Sequence, residues 1–151
     1  MIKIITVGKL KEQYFRDAVE EYLKRLSKYT KIELIEVPDE DFDIKKTLDR
    51  EKDSILKHIT DKDYVVTIEI EGKELTSVEL SKKLNDIMIN NSDITFVIGG
   101  SYGLHDDIKR RSNYALSFSK MTFPHQLFRV MLLEQIYRSY KIINNETYHK
   151  W

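Results

Sequence analysis

The sequence contains no cysteine, and it has two prolines and five glycines among 151 residues. Without cysteine the chain cannot form disulfides, thiolate metal sites or cysteine nucleophiles, which agrees with a reducing compartment. No apolar run approaches the roughly 20 residues that span a bilayer, and "MIKIITVGKL" is too short and too quickly charged for a signal peptide. We therefore expect a cytoplasmic protein without a membrane segment.

Net charge is also lacking, because 25 Lys and Arg balance 25 Asp and Glu. The distribution is uneven: residues 101–151 hold 8 basic and 4 acidic side chains, whereas residues 1–100 hold 17 and 21. A basic C-terminal third is typical of a surface that binds polyanions, although unevenly solvated charge explains it equally well. Composition alone leaves nucleic-acid binding open.

The length predicts one domain, residues 1–151, in which strands and helices alternate. Runs rich in β-branched residues predict five strands, at Ile2–Gly8, 31–37, Tyr64–Ile70, Ile94–Gly100 and 114–118. Helical spacing of apolar residues predicts helices at 15–29, 44–59, 77–88, 106–111 and 126–142. The many charged side chains of the helix at 44–59 are interpreted as facing solvent. The most apolar strand, Ile94–Gly100, is typical of a central position in a parallel sheet. The fold class is therefore α/β.

Ligands of open α/β sheets bind beyond the carboxyl ends of the strands. Three loops lie at such ends: "EGKEL" after Ile70, "GGSYGLHDD" and "SKMTFPHQ". In the second loop, Gly99 and Gly100 would let a ligand approach the backbone. Neither a dinucleotide fingerprint nor a phosphate-binding loop is present, so a simple tight turn is an equally good interpretation. The four histidines show no metal-ligand spacing, and no metal is expected.

The third candidate loop is "SKMTFPHQ", residues 119–126. Pro124 suits the first turn of a helix, and Thr122 or Phe123 could cap that helix. Capping leaves Ser119, Lys120, Met121 and His125 unexplained. We therefore interpret the loop as a candidate cofactor pocket.

Several motifs together resemble one known family. "FVIGGSYGL", "NYALSFSKMTFPHQLFRVMLLEQIYRSYKI" and the near-terminal "YHK" are similar to the RlmH family of SPOUT methyltransferases, as are "VGKLKEQY", "YTKIELIEVPDE" and "VVTIEIEGKEL". The resemblance spans nearly the whole chain. It implies a homodimer with a C-terminal trefoil knot that uses S-adenosylmethionine to methylate N3 of a pseudouridine in 23S rRNA. The cofactor contacts that it implies are Ile68, Gly99, Phe118, Ser119, Lys120, Met121, Thr122 and Phe123.

The N3 proton of the target must leave, so a base or a water path is required. We hypothesise that His149, with Tyr148 beside it, reaches the target base from the C-terminal tail, in its own or the partner subunit, and His125 is the alternative. Phosphate contacts are predicted from four basic residues, Lys109, Arg110, Arg129 and Arg138. Because a small neutral chain binds naked RNA poorly, the expected substrate is the assembled ribosome. Trp151, which follows "YHK", has no predicted role.

Two other functions remain possible from the residues. A catalytically silent RNA-binding or ribosome-binding module would bind in a salt-sensitive manner without a saturable cofactor site. A generic nucleotide-binding α/β protein would bind a nucleotide triphosphate or dinucleotide, but the matching phosphate-binding motifs are missing.

Overall fold

Five parallel strands form the centre of this computed structural model, which describes residues 1–150. The strands are β1 (Ile2–Val7), β2 (Ile32–Val37), β3 (Tyr64–Glu74), β4 (Ile94–Ile98) and β5 (Tyr114–Ser117). They are arranged in the order β2-β1-β4-β3-β5, and every pairing is parallel. The α/β class and the central position of β4 are thus confirmed.

Five helices cover the two faces of the sheet: α1 (Gln13–Leu26), α2 (Ile44–Leu56), α3 (Ser77–Asn90), α4 (Asp106–Arg111) and α5 (His125–Ile143). Helices α1, α3 and α5 pack on one face, where Ile4 and Phe96 are fully buried. Helices α2 and α4 pack on the other face, against Ile5 and Val97. Because neighbouring residues of a strand point to opposite faces, a strand between two helical layers is apolar throughout.

The start of α3 matches its sequence signature. Thr76 accepts a hydrogen bond from the Glu79 amide, and the Glu79 carboxylate accepts one from the Thr76 amide, which is a complete capping box. The prediction that Thr122 or Phe123 caps α5 was wrong, because Pro124 occupies the N-cap position and no side chain caps the helix. Thr122 and Phe123 are therefore free of a capping role.

Helix α2 is less exposed than its charge suggested. Thr47, Glu51 and Ile55 form a buried stripe on it, and Glu51 is only 3% exposed. One Glu51 oxygen accepts the amide of Glu40 at 3.3 Å. The interpretation that all of its charge is solvated is therefore wrong for this residue.

Strand β3 continues past the predicted end at Ile70. Both Ile68 and Lys73 pair with Leu116 of β5, so residues 69–72 are displaced from the regular pairing. A side chain at Gly72 would meet backbone atoms of Ala115 at 2.8 Å, so glycine is needed where the strand returns to β5. The displaced residues extend the carboxyl-end edge of the sheet.

Among residues 1–150, no helix combines the length and the apolar character that a membrane crossing requires.

Candidate active site

A cleft of about 280 Å³ lies at the carboxyl ends of β3, β4 and β5. Its walls come from three segments that are far apart in sequence: the displaced part of β3, the glycine-rich turn after β4, and the loop between β5 and α5. The predicted residues that line it are Ile68, Gly99, Phe118, Ser119, Met121, Thr122, Phe123 and His125. Lys120 is exposed and does not line the cavity. Seven of the eight cofactor candidates therefore surround one cleft.

The turn after β4 folds tightly back on itself. Gly103 donates its amide to the carbonyl of Gly100 at 3.0 Å, and its φ of +79° lies in the left-handed region that favours glycine. A Cβ at Gly99 would lie 2.4 Å from the Gly103 carbonyl oxygen. The absence of a side chain at Gly99 is thus required by the turn itself as well as by the open cleft beside it.

The loop after β5 is held by its own serines. The Ser117 hydroxyl donates to the carbonyl of Ser119, and the Ser119 hydroxyl accepts the amide of Met121, each at 3.0 Å. On the inner side, the Phe118 and Phe123 rings lie 4.8 and 5.9 Å from that of Phe128 on α5. The serines fix the backbone of the loop, and the three rings form an apolar wall.

Sequence reasoning missed several residues of the cleft, namely Glu69, Ile70, Ser117 and Phe128, whereas Glu71 belongs to the predicted loop "EGKEL". Residues 69–71 line the cleft because the register of β3 shifts where it pairs with β5. Phe128 belongs to the apolar face of α5, one helical turn after Pro124. That spacing was the available signal for Phe128.

The residues that line the cleft suit the chemical groups of S-adenosylmethionine. Apolar side chains such as Ile68, Leu104 and Phe118 suit an adenine ring. Gly99 and Gly100 are buried but line the cleft without side chains, so the polar edge of the ring could approach their backbone. The Glu69 and Glu71 carboxylates can accept from ribose hydroxyls or face positive charge. Lys109, also in the lining, can pair with a carboxylate. Within residues 1–150, no group of three or more His, Asp or Glu is arranged to hold a metal ion.

The described part of the C-terminal tail, residues 144–150, is docked on α5 and does not line the cleft. Tyr148 donates to Glu134 at 2.7 Å, and its ring packs edge-on against Tyr137. Burial, and then the Glu134 carboxylate, raise the pKa of Tyr148 to about 12. Tyr148 is therefore a neutral hydrogen-bond donor at physiological pH.

His149 is held by the same helix. Nη1 of Arg138 lies 3.0 Å from Nδ1 of His149. Because arginine can only donate, Nδ1 is the acceptor, and the neutral ring carries its proton on Nε2. Nε2 is buried and has no partner within residues 1–150. In this docked position His149 has no free lone pair with which to accept a proton.

The basic residues proposed for RNA differ in their exposure. Lys109 and Arg110 are exposed, and Arg110 pairs with Asp107. Arg138 pairs with Glu134 at 3.0 Å. The role predicted for Arg129 is wrong, because its side chain is 3% exposed and its guanidinium contacts Glu36 at 2.6 Å and the Gly8 carbonyl at 3.2 Å. A phosphate cannot reach it.

Comparisons relate this chain to known methyltransferases. The family described as "Predicted SPOUT methyltransferase" matches residues 1–149. A Clostridium tetani protein named ribosomal RNA large subunit methyltransferase H is 55% identical, and a Methanococcus maripaludis protein whose name refers to the same methyltransferase is 56% identical, each over 99% of both chains. A solved structure of a probable methylase family protein from Haemophilus influenzae is 13% identical with a TM-score of 0.60, and the match covers 99% of this chain and 70% of that one. The last match supports the fold alone.

Proposed function

Because the chain belongs to the ribosomal RNA large subunit methyltransferase H family of SPOUT methyltransferases, we propose that it is an rRNA methyltransferase that uses S-adenosylmethionine to methylate N3 of a pseudouridine in 23S rRNA. The observation that carries the cofactor assignment is the cleft at the ends of β3, β4 and β5, where residues of three motifs meet. We place the reaction on the assembled ribosome in the cytoplasm.

When bound, S-adenosylmethionine would supply an electrophilic methyl group on a sulfonium, and S-adenosylhomocysteine would leave as the methyl–sulfur bond breaks. The chain's contribution is mainly position and orientation, which are worth several kcal/mol when reacting atoms are held in line. The loop of residues 118–123 and the turn at Gly99 enclose the cofactor. The Phe118, Phe123 and Phe128 rings exclude water from one wall.

The target's N3 proton must be accepted as the new bond forms. We assign this step to His149, with His125 as the alternative because it lines the cleft. Since the Arg138 contact occupies Nδ1 in the docked tail, accepting a proton at that atom requires the tail to leave α5. Tyr148 then acts as a neutral donor that orients the target.

A homodimer accounts for the separation of cleft and tail. Neither Tyr148 nor His149 lines the cleft of its own chain, so a tail from the partner subunit would complete it. The trefoil knot of the C-terminal part is proposed on the same family grounds.

Two measurements test the function. Calorimetric titration should give saturable S-adenosylmethionine binding, and mass spectrometry of 23S rRNA should show one methylated pseudouridine that is missing from a deletion strain. A protein that binds ribosomes but not S-adenosylmethionine would instead be a silent RNA-binding module. Equal methylation of protein-free 23S rRNA and whole ribosomes would contradict the assembled substrate.

A further inference from the structure

The loop between β1 and α1, residues 8–12, carries two lysines that the reaction described above does not use. We call it the first loop. It follows the carboxyl end of β1, and β1 is paired in parallel with β4. The first loop therefore lies along the same edge of the sheet as the cleft, with Lys9 and Lys11 exposed on it.

The backbone of the first loop is fixed at three points by other elements. Arg129 of α5 donates to the Gly8 carbonyl at 3.2 Å, and Glu36 of β2 accepts the Leu10 amide at 3.2 Å. Gln126 of α5 accepts the Lys11 amide at 2.9 Å. These contacts use backbone atoms of the loop, so they position the two lysines without occupying their ammonium groups.

Arg129 and Glu36 also bind each other at 2.6 Å, so the acidic side chain that contacts the loop is already neutralised. Neither Lys9 nor Lys11 forms a salt bridge within residues 1–150. Burying an arginine is costly unless it is paired. Glu36 and the Gly8 carbonyl of the first loop supply the partners of Arg129.

The first loop borders the cleft through α5. Gln126, which holds the Lys11 amide, directly follows His125 in the cleft lining. A polyanion whose reacting base enters the cleft would thus pass close to both ammonium groups. Lysine side chains of this kind bind phosphate groups without reading sequence.

We propose that Lys9 and Lys11 bind backbone phosphates of the rRNA that flank the target nucleotide. This inference rests on the proposed function, because it names a contact of the same site with its RNA substrate. It replaces the phosphate role predicted for Arg129: the buried arginine holds the loop, and the exposed lysines of the loop hold the RNA.

The test compares two double variants with the wild type. Lys9→Ala with Lys11→Ala removes both charges from the first loop. Lys31→Ala with Lys62→Ala is the matched control, because these exposed lysines precede β2 and β3 and so lie at the opposite edge of the sheet. Ribosome binding is measured at several salt concentrations, together with S-adenosylmethionine binding and the oligomeric mass.

For the first-loop variant we expect ribosome affinity about tenfold weaker near physiological salt, and a log–log salt slope smaller in magnitude by roughly 2, one for each phosphate contact. The control should keep the wild-type slope, and all proteins should bind S-adenosylmethionine equally. An unchanged slope in the first-loop variant, with an active wild type, overturns this inference alone. A changed oligomeric mass makes the loop a subunit contact and also overturns it, whereas a wild type that neither binds ribosomes nor methylates them overturns the proposed function itself.

Discussion

At the scale of single residues, two positions at the cleft edge of the sheet show why residue type is restricted there. Gly99 has no space for a Cβ, because the Gly103 carbonyl oxygen would lie 2.4 Å away. Glu51 is a carboxylate buried against the same turn, with one oxygen 3.2 Å from the position of a Cβ on Gly100. At Gly99 the lack of space restricts the residue type, and at Glu51 the cost of burying a charge does so.

Gly99→Ala should lose most S-adenosylmethionine affinity and about 1–3 kcal/mol of stability, the usual cost of overpacking. The backbone at Gly103 cannot move aside without opening the turn. Calorimetric titration and thermal unfolding measure the two effects. Gly8→Asn is the control: Gly8 does not line the cleft, the atom nearest its Cβ position is Cβ of Asp39 at 3.8 Å, and asparagine tolerates a positive φ. Wild-type cofactor affinity in Gly99→Ala would contradict the role of this position.

Glu51→Gln should stabilise the protein at neutral pH. Burial, and then the charges of Asp39 and Glu40, raise the pKa of Glu51, so the folded protein holds this proton more tightly than the unfolded chain. Its contribution is fully present below the ordinary pKa of 4.5 and is lost as pH rises through the folded value.

We therefore expect a melting temperature a few degrees above wild type at pH 7 and no difference at pH 4. Thermal unfolding across this range measures it, with exposed Glu20→Gln as the control. A constant difference at all pH values would show that the ionisation of Glu51 is not its cause.

At the scale of elements, the sequence predicted what depends on local pattern. The capping box of Thr76 and Glu79 is a short-range signal, and the structure confirms it. The extension of β3 to Glu74 was missed, because the displaced residues are held by pairing with β5 more than 40 residues later. The burial of Glu51 on α2 was missed for a similar reason: nothing near Glu51 in sequence indicates that the turn after β4 lies against its carboxylate.

The loop after β5 allows a prediction with an internal control. Ser117→Ala removes the bond to the Ser119 carbonyl that fixes the candidate cofactor loop, so cofactor affinity should fall several-fold while stability falls by about 1 kcal/mol. Ser112→Ala removes a similar bond, to the Tyr114 carbonyl at 2.9 Å, and a contact with the Thr67 hydroxyl at 2.8 Å, at the amino end of the same strand. It should lose comparable stability and keep cofactor affinity, as measured by unfolding and calorimetry. Equal affinity losses in both variants would indicate a general effect on β5.

At the scale of the whole molecule, the candidate site is only partly predictable from sequence. The loop "SKMTFPHQ" was identified as a candidate pocket because capping explained too few of its residues, and the bounds 118–123 came from the family resemblance. The docking of the tail could not be predicted, since Tyr148 and His149 bind Glu134 and Arg138 through contacts that only the folded helix and turn create. Trp151 lies outside the described residues.

Mixed dimers test whether the tail completes the partner's cleft. In the proposed homodimer, Gly99→Ala should disable a cleft by weakening cofactor binding. His149→Ala should disable a tail, and loss of a base usually lowers the rate by about a hundredfold or more. A mixture that exchanges subunits should recover substantial methylation, because one site per mixed dimer combines an intact cleft with an intact tail. The measurement is methyl incorporation into ribosomes before and after exchange. Two unmixed samples combined just before the assay serve as the control. Without recovery, the tail would act in its own subunit.

The order of the strands also affects how the protein folds as it is synthesised. Strand β1 can pair with β2 early, but its other edge is completed only by β4, which begins at Ile94. During translation a β-branched edge therefore stays open while about 60 further residues are added, and closing such a long-range parallel pair is slow. Insertion of the central strand β4 is therefore a late step of folding. Substitutions that weaken β4 should increase the aggregation of nascent chains before they change the activity of the folded protein.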